Sequence, residues 1–216
     1  MLVSELGATT AAWRRISDLV IAGRHDEAIK SLKKDLETSS DPFFRAIALE
    51  HLGNVHRMLR QYPEAAELLT AAIAACDLPN PALWRKYVGL GLTFWAMGQT
   101  QKALDTYERA AERLMDRALE ILAKRENPLL KKTVIDRERI LLISPEIFPR
   151  IKDLFKVDPV FAVLRNNMGV CYAELGKAEK AIELFRESIE FTPDRARYEH
   201  PSLNLAKLQR KTRPGN

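Results

Sequence analysis

The sequence predicts an all-α chain built as a solenoid of stacked helix–turn–helix units. Three observations carry that expectation. Ala, Leu, Glu, Lys and Arg dominate a chain of 216 residues with only 9 glycines, a composition that favours helix. No stretch alternates apolar and polar residues in β-branched or aromatic runs, so little or no sheet is expected. A short turn motif also returns at a long, nearly constant interval, the mark of a repeat architecture.

The motif is a turn followed by an alanine five residues after its first member. It reads Gly23-Arg24-His25-Asp26-Glu27-Ala28, then Arg60-Gln61-Tyr62-Pro63-Glu64-Ala65, then Gly98-Gln99-Thr100-Gln101-Lys102-Ala103, and finally Gly176-Lys177-Ala178-Glu179-Lys180-Ala181. Successive alanines lie 37, 38 and 78 residues apart, the last interval being two steps of 39. An amphipathic helix precedes each turn. In the third copy its apolar residues include Trp84, Tyr87, Val88, Phe94 and Trp95. Leu52-Gly53, Leu90-Gly91 and Met168-Gly169 put a glycine seven residues before the turn in three copies. A glycine inside a helix costs about 1 kcal/mol against alanine, so its return at one place predicts a neighbouring helix close to the backbone there. A second helix follows each turn. It pairs Ala28 with Leu32, Ala65 with Leu69, Ala103 with Tyr107 and Ala181 with Phe185, each four apart on one face. Gly98 and Gly176 are expected in left-handed backbone conformations.

At these residues the chain resembles the tetratricopeptide repeat family, whose 34-residue unit is a helix–turn–helix. The last copy, about 162–195, is the fullest match, with Met168-Gly169, Tyr172, Gly176, Ala181, Phe185 and Pro193. The third, about 84–117, carries Tyr87, Leu90-Gly91, Phe94, Gly98, Ala103, Tyr107 and Ala110. The second, about 46–79, keeps Leu52-Gly53, Ala65, Leu69 and Ala72, but has His56 for the usual aromatic and Arg60 for the turn glycine. The first, about 9–42, has Arg15-Ile16 where Leu-Gly is usual. The resemblance implies a right-handed superhelical solenoid, here a single domain over 1–216. Residues 118–160 depart from the pattern. Asn127-Pro128 and Ser144-Pro145 punctuate them, and helices are expected from Leu129 to Ile143 and from Pro145 to about Lys156. They form either a degenerate hairpin between the third and last repeats or an insertion. Residues 201–211 read as a capping helix, with Leu203, Leu205 and Leu208 for packing and Lys207, Arg210 and Lys211 outside.

The functional expectation follows from what is missing as well as from the repeat. No Gly-rich phosphate loop, nucleophile elbow or metalloprotease motif occurs, so no enzyme is expected. The histidines His25, His51, His56 and His200 have no metal-binding spacing, and Cys76 and Cys171 form no metal-type pair; no metal or other cofactor is expected. Those two cysteines suit a reducing, cytoplasmic setting. Neither a signal peptide nor a membrane-spanning stretch is read. The resemblance implies that the first helix of each repeat lines a concave groove that takes a peptide or protein segment. That places His51, Asn54 and Arg57 of the second repeat inward, with Arg85, Val88, Leu92 and Trp95 of the third and Asn166, Asn167 and Val170 of the last. Asparagine amides bond a peptide backbone, Arg85 pairs with a carboxylate, and Leu92 with Trp95 holds an apolar anchor. The alternatives are a solvated helix face for the polar residues and helix packing for Trp95. Some members of the family clamp a C-terminal carboxylate with Lys, Asn and Arg. Only Asn54 and Arg85 fit that set, with Trp13, Ser17, His51 and Gly89 at its other places.

Two other partners stay open. Residues 1–80 carry 9 basic and 11 acidic side chains, 81–160 carry 15 and 11, and 161–216 carry 10 and 7. The basic second half is a second candidate surface, for nucleic acid. An exposed solenoid end is a third, for a homo-oligomer.

Overall fold

The computed structural model describes residues 14–76, 83–125, 159–193 and 198–212. Among the described residues there are nine helices and no strand, an all-α helical repeat solenoid. The helices are α1 (14–21), α2 (His25–Thr38), α3 (Pro42–Met58), α4 (Tyr62–Ala74), α5 (Leu83–Ala96), α6 (Thr100–Arg125), α7 (Val160–Glu174), α8 (Ala178–Glu190) and α9 (His200–Thr212). The chain divides into two compact units, Met1–Met97 and Gly98–Asn216.

In the first unit, α1 closes on α2 and α3 through Ile16, Leu32, Ala48, Leu52 and Val55. The repeat alanines Ala28 and Ala65 are fully buried, as are Leu32 and Leu69 one turn later. Their small and large side chains do different work. Leu69 is the clearest case, because it touches two helices at once. Its Cγ lies 2.8 Å from where a Cβ on Gly53 would stand, and its Cδ2 lies 3.4 Å from the same point on Gly89 in α5. One leucine thus closes its own hairpin and seats the next first helix. In the second unit the Phe185 ring comes within 2.6 Å of a Cβ placed on Gly169. The recurring glycine is therefore where the second helix lies against the first. In the first hairpin Ile16 occupies that register and is itself part of the core.

Three turns share one set of backbone bonds. Arg24 N–H donates to the Leu19 carbonyl and Gly23 N–H to Val20; Gln61 to His56 with Arg60 to Arg57, and Lys177 to Tyr172 with Gly176 to Ala173, repeat the pair. This is the glycine-type helix stop, with one residue in the left-handed region. Gly23, Gly98 and Gly176 have φ of 72°, 72° and 76°. Arg60 adopts φ 61° in the same place, with a side chain that disfavours it.

The second unit spans the 78-residue interval between repeat alanines. There α6 packs directly on α7, where Thr100 donates to Glu174 at 2.9 Å and Tyr172 to Glu108 at 3.1 Å. This is the same succession as α2 on α3 and α4 on α5, a second helix against the next first helix. The third repeat's second helix also runs on to Arg125, 26 residues against 13 in α4 and in α8. The helices expected over 129–143 and 145–156 lie outside the described residues.

The helix expected over 201–211 is α9, packed on α8. Pro201, Asn204, Leu205 and Leu208 form its inner stripe at helical spacing, whereas Leu203 is 62% exposed, off that stripe and not a packing residue.

Two predictions follow from the turns and the glycines. Arg60→Gly relieves the left-handed strain and should raise stability by about 1 kcal/mol, while Gly176→Val should lower it by about 1–2 kcal/mol; thermal melts of the two variants give the opposite signs. Gly169→Ala gains about 1 kcal/mol of helix propensity but drives a methyl into the Phe185 ring, for a net loss of about 1–3 kcal/mol. Denaturant titration should show Gly169→Ala/Phe185→Leu recovering part of that loss.

Candidate functional site

The first helices of the first unit, α1, α3 and α5, lie side by side, and their inner register positions build the site. A buried ion pair sets the spacing between α3 and α5. Lys86 Nζ is 2.5 Å from Glu50 Oε2, with the lysine side chain 1% exposed and the glutamate 15%. In the repeat register Lys86 stands seventeen residues before Ala103, where Ala48 and Leu164 stand before Ala65 and Ala181. A lysine has replaced a core aliphatic residue and reaches back to the preceding repeat. The last repeat makes the same link with amides. Asn166, like Glu50, lies fifteen residues before its repeat alanine, and it accepts a 2.9 Å bond from Asn204 of α9. By this register α9 stands where the first helix of a further repeat would.

The eight residues expected to face a ligand have different fates. Asn54 is half-buried beside Gly89, its Oδ1 3.2 Å from where a Cβ on Gly89 would stand, and its side chain has no hydrogen-bond partner among the described residues. Because Gly89 has no side chain, the amide keeps open space in front of it. Arg85 is exposed and lies over the Trp84 ring at 5.1 Å. Arg57 is half-buried, with its Nε out of water and unbonded. Leu92 is half-buried and Trp95 is 43% exposed. His51 is half-buried, and burial pushes its pKa down; Glu50 raises it and Lys86 lowers it to a lesser degree. The ring is therefore neutral near pH 7. Its burial contributes stability above the ordinary histidine pKa of about 6.5, and that contribution is lost as the pH falls toward the depressed folded value.

Asn166 departs from the expectation. It is buried, bonded to Asn204 and Asn167, and hydrogen-bonded to the Tyr198 hydroxyl, whose pKa burial pushes up to about 12. Its amide holds Tyr198 and α9. Asn167 is half-buried and accepts from Asn166 at 3.5 Å. These two belong to the second unit and are placed there only.

Charge in the first unit is sorted by helix type. The first helices α1, α3 and α5 carry six basic residues (Arg14, Arg15, Arg45, Arg57, Arg85, Lys86) and two acidic ones (Asp18, Glu50). The second helices α2 and α4 carry three basic and six acidic residues. Sequence totals hide this segregation, because the two kinds of helix alternate along the chain. Lys86 and the charge sorting are the features that sequence reasoning missed. The register shift of a lysine into a core position was the available signal.

Among the described residues, no group of three or more His, Cys, Asp or Glu could hold a metal ion, and no helix is long and apolar enough to cross a membrane. Cys171 is fully buried, and burial pushes its thiol up to about 12, so it is not a reactive thiolate.

A family model of the tetratricopeptide repeat matches residues 44–116, and another matches residues 162–195. The chain is a tetratricopeptide repeat protein. Among solved structures, it is similar to a Podosopora anserina protein assigned as a kinesin light chain, with nearly identical TPR-like repeats. The two are 19% identical, with 93% of this chain and 85% of that chain covered and a TM-score of 0.59. A point variant of the same protein matches at 18% identity, 93% and 84% coverage and TM-score 0.59. At these identities the likeness is one of fold. YrrB, a TPR protein with an unusual peptide-binding site, matches at 24% identity, 89% and 88% coverage and TM-score 0.40. Among the curated proteins nothing matches this chain.

The Lys86–Glu50 pair gives a prediction for these repeats. Glu50→Gln leaves a buried ammonium without its counter-charge and should cost about 3–5 kcal/mol. Lys86→Met/Glu50→Gln removes both charges and should be far less destabilised than Glu50→Gln alone. A double-mutant cycle by urea unfolding measures the coupling.

Proposed function

We propose that this tetratricopeptide repeat protein is a protein-interaction scaffold that holds a peptide or protein segment along the first helices of its first unit. The carrying observation is Asn54. Its amide lies beside the bare backbone of Gly89 and has no hydrogen-bond partner among the described residues. An unbonded carboxamide on a rigid helix can both donate to and accept from a peptide backbone without regard to its side chains. Arg85, exposed four residues before Gly89, adds a fork for a carboxylate, and Leu92 with Trp95 adds apolar surface further along α5. The excess of positive charge on the first helices favours acidic segments, and that part of the affinity weakens with salt. The reading assigns no reaction to the chain. Two free thiols suit a reducing compartment such as the cytoplasm.

The test is binding of the full chain to an array of acidic and neutral peptides, followed by titration of those retained. Trp95→Ala should weaken binding by about 2 kcal/mol, roughly thirtyfold, and Asn54→Ala by about 1–3 kcal/mol through the lost amide bonds. Unchanged affinity in both folded variants removes the first-helix face as the site.

A further inference from the structure

The described residues include six large hydrophobic side chains that are exposed, and three of them lie at or next to the ends of the first helices of the first unit. Ile21 is the last helical residue of α1 and is 85% exposed; Met58 is the last of α3 and is 52% exposed. Both stand seven residues before their repeat alanine. The same register in α5 is Ala96, and the residue before it is Trp95, 43% exposed. In the last repeat that place is Glu174, bonded to Thr100. The apolar row therefore runs along the turn edge of the first unit and has no counterpart in the register of the last repeat.

Two cations flank Met58. Arg57 and Arg60 have no ion pair among the described residues, and Arg60 keeps the left-handed backbone that the three other turns give to glycine. Strain of this kind persists where the side chain has a use beyond folding. The one carboxylate on α3, Glu50, is already neutralised by Lys86. Apolar side chains at the ends of neighbouring first helices, beside uncompensated arginines, form a surface complementary to a segment both apolar and acidic.

From this geometry we infer that the row Ile21, Met58 and Trp95, with Arg57 and Arg60, is a docking strip for an acidic, apolar-spaced segment of a partner protein, lying extended across the ends of the first helices. The inference rests on the reading that the first-helix face holds a peptide, and it names the chemistry of that peptide. Packed helices lie about 8–10 Å apart, and an extended or polyproline chain advances about 3.1–3.3 Å per residue. One apolar side chain in every three residues matches that step, with carboxylates between them.

The probe is a fluorescein-labelled peptide of four Leu-Glu-Ser triplets, titrated by anisotropy against the full chain. Two controls replace Glu by Lys or Leu by Ser. The acidic, apolar peptide should bind saturably, and each control should bind about tenfold more weakly or worse. Ile21→Ser/Met58→Ser alters exposed positions, so the fold is retained, and should lower affinity about tenfold or more. Arg60→Gly should lower affinity about threefold or more while raising the melting temperature, a combination that loss of fold cannot produce. Absence of saturable binding at millimolar peptide, equal affinity for the Lys control, or unchanged affinity in Ile21→Ser/Met58→Ser overturns the inference. If Asn54→Ala abolishes binding while the edge variants leave it intact, the strip falls and the face reading stands; the reverse pattern keeps the strip and removes Asn54. Concentration-dependent mass in light scattering that Met58→Ser eliminates would make the occupant a second copy of this chain, and would also overturn it.

Discussion

Two of the hairpins depend on a missing side chain. At Gly53 and Gly169 the second helix presses so near the first that a methyl group would collide with Leu69 or Phe185. A glycine costs helix propensity at such a place, and the packing of a large apolar residue into the gap offsets that cost. Leu69 shows what the close approach achieves, because the same side chain that closes its hairpin also meets Gly89 of the next first helix. Hairpin closure and repeat stacking are one packing event here. The alignment of α3 beside α5, and with it the placing of Asn54 against bare backbone, follows from that event.

The links between first helices then decide which surfaces stay available. Position by position, Glu50 and Asn166 are equivalent, and each is joined to the following first-type helix. The charged version joins two complete repeats and leaves Asn54 accessible one turn further on. The amide version joins the last repeat to α9, together with Tyr198, and draws Asn166 into the interior. α9 has Gln209 where its register would place the hairpin glycine, as the first hairpin has Ile16.

Much of the fold was legible because its constraints are local. The turn glycines announce a left-handed residue, and Ala65 with Leu69 announces a face that must be small and then large. The family match beginning at residue 44 fits the reading of the first hairpin as the least typical, with Ile16 in the glycine's place. Two things were not legible. Chain length between repeat alanines does not by itself give stacking order, and across the 78-residue interval α6 meets α7. The site was legible only as a set of positions. Whether an asparagine on such a face is available depends on what the neighbouring helix brings to it: Gly89 brings nothing to Asn54, whereas Asn204 and Tyr198 occupy Asn166. The sorting of charge between first and second helices was invisible for a similar reason, since linear segment totals average over both.

The buried Lys86–Glu50 pair also bears on how the first unit comes apart. In a plain solenoid each repeat contributes its own small stability and neighbours couple through apolar contact, so an end can fray hairpin by hairpin. Peeling α5 from α3 here would strip a counter-ion from a lysine that is almost wholly out of water, or would have to flood the seam to hydrate both charges. Partial opening at that seam is therefore the least favourable place to stop. The second and third first-helices should exchange their amide hydrogens as one cooperative block, with protection ending abruptly instead of grading along the chain. A surface carried on such a block keeps its residues in fixed mutual positions until the whole unit unfolds.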